Sequence, residues 1–84
     1  MNCYYIIGFR VDHRHANALN LQKTLTEFGC NIKLRVGLHE TNEEYCSDDG
    51  VIMLQACGDQ DTIEKMVNAF NTLEGVSAKW MDLN

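Results

Sequence analysis

Between Glu27 and His39 a helical pattern stops at Gly29 and a strand pattern begins at once, and no other stretch constrains the chain as much. Glycine accepts the left-handed backbone that ends a helix, and Asn31 suits the turn that follows. Beyond it Ile32, Leu34, Val36 and Leu38 alternate with Lys33, Arg35 and Gly37. Alternation of period two predicts a strand with one apolar face and one face carrying two cations, the pattern of a half-buried edge strand.

The flanking segments supply the other elements. Cys3 to Val11 reads as a strand with Cys3, Tyr5, Ile7, Phe9 and Val11 on one face and Tyr4, Ile6, Gly8 and Arg10 on the other. Asp12 to His15 is a polar turn into a helix that runs to Phe28 on the stripe Ala18, Leu21, Leu25 and Phe28. Glu40 to Gly50 holds five acidic residues and no Lys or Arg, which predicts a solvated loop. Val51 to Cys57 is a third strand. After the turn at Gly58, Asp61 with Glu64 three positions on resembles a capping box. The helix it opens buries Ile63, Met66, Val67, Phe70 and Leu73 and stops at Gly75. Val76 to Leu83 is the last strand, although Trp80 beside Met81 confuses its alternation.

Strand, helix, strand, strand, helix, strand is the order of an α+β ferredoxin-like sandwich. Right-handed crossovers place both helices on one face of a four-stranded antiparallel sheet, in strand order 4-1-3-2. A chain of 84 residues makes a single domain over 1–84. With both helices on one face, Tyr4, Ile6, Val51 and Met53 are left on the other, together with Arg10, Lys33 and Arg35. A second copy of the chain is the expected cover, giving a dimer or a tetramer.

A net charge of −5 opposes direct binding to nucleic acid, which rests on neutralising phosphates with cations. No apolar run reaches the length that spans a bilayer, and no basic leader precedes the first strand. The expected location is the cytoplasm, away from membranes. Cys3, Cys30, Cys46 and Cys57 form no C-x-x-C pair, so in a reducing compartment they are expected to be free thiols.

Asp12 through Ile32 resembles the ACT-domain pattern, in which a polar turn leads into a helix and Gly-x-Asn-Ile opens the second strand, here Gly29-Cys30-Asn31-Ile32. Over nearly its whole length the chain is also similar to the ACT-like iron-only hydrogenase system regulators. That resemblance lies in Ile32 to Gly37, Asp59 to Ile63, and Leu73 to Lys79. It implies a ferredoxin-like ACT fold, assembly through the sheet, and a regulatory, ligand-binding role. Amino-acid-binding ACT domains usually carry Pro-Gly before the first helix, where this chain has Arg14-His15, so a conventional amino-acid site is not expected.

Two constellations could carry chemistry. Arg10, Lys33 and Arg35 could form an anion-binding patch at a subunit interface, which points to a small acidic ligand or an acidic protein partner. Alternatively, His13 and His15, two apart in an extended turn, could share one borderline metal ion and make the chain a metal sensor. The sequence names no cofactor. It holds no Gly-rich phosphate loop, serine elbow or paired-carboxylate motif, so no enzymatic activity is expected.

Overall fold

The central strand β1 (Asn2–Val11) turns Tyr5, Ile7, Phe9 and Val11 to one side, where all four are buried. A computed structural model describes residues 2–12, 14–41 and 46–84, and the side chains of these except 14–18, 38–41 and 46–49. After β1 come α1 (Arg14–Glu27), a 3-10 turn (Gly29–Asn31), β2 (Ile32–Thr41), β3 (Cys46–Gly58), α2 (Gln60–Asn71) and β4 (Val76–Asp82). The strands form one antiparallel sheet in the order β2-β3-β1-β4. This is the ferredoxin-like α+β arrangement that the sequence predicts, with β1 and β3 in the middle.

Helical and strand periodicities meet in a single core. Leu21 and Leu25 of α1, and Ile63, Met66, Val67 and Phe70 of α2, pack on Ile7, Phe9, Leu54, Ala56 and Ala78 of the sheet. The Phe70 ring stacks on Phe9, with centroids 4.6 Å apart and planes 19° apart. Phe28 approaches the same ring at 6.5 Å. The confused alternation of β4 resolves by register. Trp80 lies opposite Ile7 and meets Tyr5 edge-on at 5.9 Å, whereas Met81 lies opposite Ile6 on the other face. Asn71, at the end of α2, holds the Ala78 backbone from both sides: its Nδ2 donates to the carbonyl at 3.1 Å and its Oδ1 accepts from the N–H at 2.7 Å. A side-chain amide thereby occupies hydrogen-bonding groups that edge strand β4 would otherwise present to another chain.

Three local expectations are corrected. The acidic stretch is not all loop, since Glu40 and Thr41 continue β2 and Cys46 to Gly50 begin β3, with Thr41 opposite Cys46. Backbone pairing across the hairpin overrides the low strand propensity of acidic residues. The N-cap of α2 is Asp59 rather than Asp61: extended backbone at Asp59 lets its carboxylate accept from the Thr62 N–H at 2.8 Å. Cys3 and Cys57 are joined in a disulfide, whereas Cys30 is an exposed free thiol. The two partners are 54 residues apart in sequence, and only the pairing of β1 with β3 brings them together. By chain entropy, a cross-link closing a loop of that length destabilises the unfolded chain by about 4 kcal/mol.

Hydrogen bonds from the Thr62 hydroxyl and then the Thr62 N–H hold Asp59 below its ordinary pKa, against a smaller opposing effect of burial. A depressed folded-state pKa means that the cap stabilises fully above the unfolded-state pKa and is lost as pH falls through the folded-state value. Asp59→Ala is therefore expected to lower the melting temperature at neutral pH, and its deficit should vanish in acid. A thermal-melt series in pH checks this. In the core, Phe70→Ala removes the ring that Phe9 and Phe28 both touch, and should cost about 3–5 kcal/mol in urea unfolding with an unchanged denaturant slope.

Candidate functional site

Alternation on four strands decides what the helix-free face of the sheet presents. Register aligns side chains across it in rows. Leu34, Gln55, Ile6 and Met81 form one row, and Val36, Met53, Gly8 and Lys79 form the next. Arg10 lies between Val51 and Ser77. At the other end Leu83 donates its N–H to the Tyr4 carbonyl at 2.8 Å. Tyr4, Leu34, Val36 and Met53 are exposed by 59%, 56%, 44% and 41%, and Val51, Met81 and Leu83 are exposed as well. Most large exposed apolar side chains of the described residues thus share one surface. At its centre a Cβ built on Gly8 would touch nothing within 4 Å, which leaves a shallow notch between Ile6, Arg10, Met53 and Lys79.

Two irregularities, both opposite the end of β3, build this surface. In β2 the register shifts between Ile32 and Leu34: Ile32 faces Ala56, while Leu34 faces Gln55 and Arg35 faces Leu54. One extra residue at Lys33 therefore separates Ile32, which packs against the core, from Leu34 and Val36, which face outward. In β1 the register shifts between Asn2 and Tyr5, so that Cys3 and Tyr4 together oppose Cys57. The displaced Cys3 carbonyl accepts from Gln55 Nε2 at 2.8 Å, and the Cys57 carbonyl accepts from Asn31 Nδ2 at 3.0 Å. Both displaced carbonyls keep a partner.

The bulge at Lys33 separates the expected cation cluster. Arg10 stands on the open face, but Arg35 shares the helix-bearing side with Leu54, and Lys33 sits exposed at the bulge itself. Uninterrupted alternation had placed Lys33 and Arg35 on the open face, and a one-residue insertion exchanges the faces of everything beyond it. Arg10 is also engaged by a carboxylate: its Nε and Nη2 donate to the two oxygens of Asp12 at 2.9 and 3.2 Å. His13 lies outside the described residues, and His15 belongs to α1 with its side chain outside them. Among the described residues no three His, Cys, Asp or Glu side chains gather as a metal ion would require, and no helix is long and apolar enough to cross a membrane.

Sequence reasoning identified Tyr4, Ile6, Val51 and Met53 on this surface and missed Leu34, Val36 and the disulfide. A bulge in a strand of otherwise regular alternation leaves no residue signature, so no signal in the sequence marks them. No family model matches the chain, and no curated protein matches it. Among solved structures it is similar to the uncharacterized protein TM1266 from Thermotoga maritima, at 29% sequence identity and a TM-score of 0.80, over 95% of each chain. The fold is thus shared with that protein over most of both chains.

Arg10 and Arg35 on opposite faces should behave independently. The unfolding free energies lost in Arg10→Gln and Arg35→Gln are expected to add in the double variant within about 0.5 kcal/mol, and a larger coupling in urea titrations would place the two cations in one cluster.

Proposed function

We propose that this chain is a small regulatory or ligand-binding module that works by homo-oligomerisation, with the open face of its sheet packed against a second copy, and that it is not an enzyme. The observation that carries the reading is the continuous apolar surface made by Tyr4, Ile6, Leu34, Val36, Val51, Met53, Met81 and Leu83. Seven large apolar side chains exposed together on one face, Tyr4, Leu34, Val36, Val51, Met53, Met81 and Leu83, go beyond the singly scattered exposure that is normal on a monomer. A second copy suits it because the surface is mostly apolar, with the cations Arg10 and Lys79 confined to the neighbourhood of Gly8. A self-complementary contact around a two-fold axis then needs no matching set of opposite charges.

The resemblance to iron-only hydrogenase system regulators supports a regulatory role, and assembly through the sheet is what that resemblance implies. A small acidic ligand at the interface would sit over the Gly8 notch, where Arg10 and Lys79 provide cations beside the apolar Ile6 and Met53. An acidic protein segment is the other partner that those cations fit.

Sedimentation velocity at micromolar concentration is expected to give a dimer or tetramer. Met53→Lys puts a charge at the centre of the surface and should shift the species to monomer, while helix content by circular dichroism stays unchanged. A wild-type monomer under those conditions overturns the reading.

A further inference from the structure

The Cys3–Cys57 disulfide and the bulge in β1 are two aspects of one arrangement. From Tyr5 to Val11 each β1 residue and its β3 partner keep one constant register, from Tyr5 opposite Ala56 to Val11 opposite Gly50. Continued to the amino end, that register sets Tyr4 opposite Cys57 and Cys3 opposite Gly58. Cys3 would then share the side of Tyr5 and face the helix-bearing layer, away from Cys57. In the structure Asn2 is opposite Gly58 instead, and the one-residue slip is what brings Cys3 to Cys57. Cys57 follows Gln55 in alternation onto the open face, and it stands outside the core cluster although it is only 9% exposed.

From this we infer that Cys3–Cys57 is a redox clasp that selects between two registers at the start of β1, and so regulates assembly through the open face; the second half of this inference rests on the function proposed above. The oxidised clasp holds the bulge. Reduction by a dithiol breaks the S–S bond, delivers two electrons and two protons to give two thiols, and closes the dithiol to its own disulfide. Freed of the bond, residues 2–4 can return to the regular ladder, in which β1 keeps one register with β3 along its length and Gln55 no longer has a displaced carbonyl to hold.

The slip is placed to affect the surface. Tyr4 accepts from the Leu83 N–H through its carbonyl, and its own N–H donates to Asn84 Oδ1 at 3.1 Å. Movement at Cys3 and Tyr4 is thereby transmitted to Leu83 and Asn84, and Gln55 stands in the same cross-strand row as Leu34, Ile6 and Met81. One corner of the open face, containing Tyr4, Gln55, Met81 and Leu83, is thus pinned by the oxidised bond. A pinned corner loses less freedom when a partner docks, so the oxidised form assembles more tightly. In a reducing compartment a disulfide tends to be transient or sensing, which is the behaviour a switch needs.

The test compares oxidised protein, dithiothreitol-reduced protein and Cys3→Ser, with Met53→Lys added to each form so that the register can be read in a monomer. In the oxidised form, thiol counting should find Cys3 and Cys57 unreactive and nuclear Overhauser effects should link Cys3 to Cys57. In the reduced and Cys3→Ser forms the contact should pass to Tyr4 and Cys57, with amide shifts confined to residues 2–5, 55–58 and 82–84. On the wild-type surface, sedimentation should show assembly weakened about three-fold or more by reduction. Free thiols at Cys3 and Cys57 after air oxidation overturn the clasp, as does an unchanged Cys3–Cys57 contact after reduction. If the register switches and the wild type is monomeric in both states, the clasp stands and the interface reading fails. If oligomers form equally in both states, the interface stands and its redox control fails.

Discussion

Burial of one face of β1 is the constraint on which the rest of the molecule depends. Tyr5, Ile7, Phe9 and Val11 leave water together, and with them goes the choice of which side of the sheet receives the helices. Phe9 against Phe70, and Leu54 and Ala56 from the neighbouring strand, turn that choice into one contiguous core. A domain of this length has material for one such layer pair and no more. Among the described residues both helices pack on that side, and the opposite face keeps large apolar side chains exposed. That this face is apolar, and not the lysine- and glutamate-rich surface of a monomeric sheet, is the property from which the interface reading follows.

At the end of β3 the sheet departs from regularity on both of its sides at once, and a further shift lies between His39 and Thr41 of β2. Bulges in β1 and in β2 oppose residues 55–57, and the side chains of Gln55 and Asn31 take up the carbonyls that the bulges turn out of the ladder. The two bulges have different consequences. The one at Lys33 exchanges the faces of a whole edge strand, sending Leu34 and Val36 outward and Arg35 to the helix side. The one at Cys3 moves only the beginning of β1, but it brings two sulfurs together. Re-aiming side chains at the edge of a sheet is a common use of bulges.

Charge on the open face is sparse and local. Arg10 is held by Asp12 in an exposed pair that contributes little to stability, on the order of 0–1 kcal/mol. Lys79 lies opposite Gly8 in the neighbouring strand, and Arg10 lies two residues along β1 on the same face. An apolar surface with two cations around a central notch discriminates by shape and by sign of charge.

The sequence by itself determined the element order, the strand order and most of the core, because helix and strand periodicities are local properties and are read directly from spacing: of the core residues expected of α2, Ile63, Met66, Val67 and Phe70 are buried, while Leu73 lies past the helix end and is partly buried. It also marked Tyr4, Ile6, Val51 and Met53 for the open face; alternation in the central strands is uninterrupted at Ile6, Val51 and Met53, and Tyr4 is exposed although it lies in the β1 bulge. Only the tertiary structure decided the rest. Whether Leu34 and Val36 point outward depends on one unpaired residue at Lys33, and hydrogen bonding to β3 places that residue where the alternation of β2 gives no sign of it. Whether Cys3 meets Cys57 depends on register between strands more than fifty residues apart, and register is a property of the pairing, not of either strand.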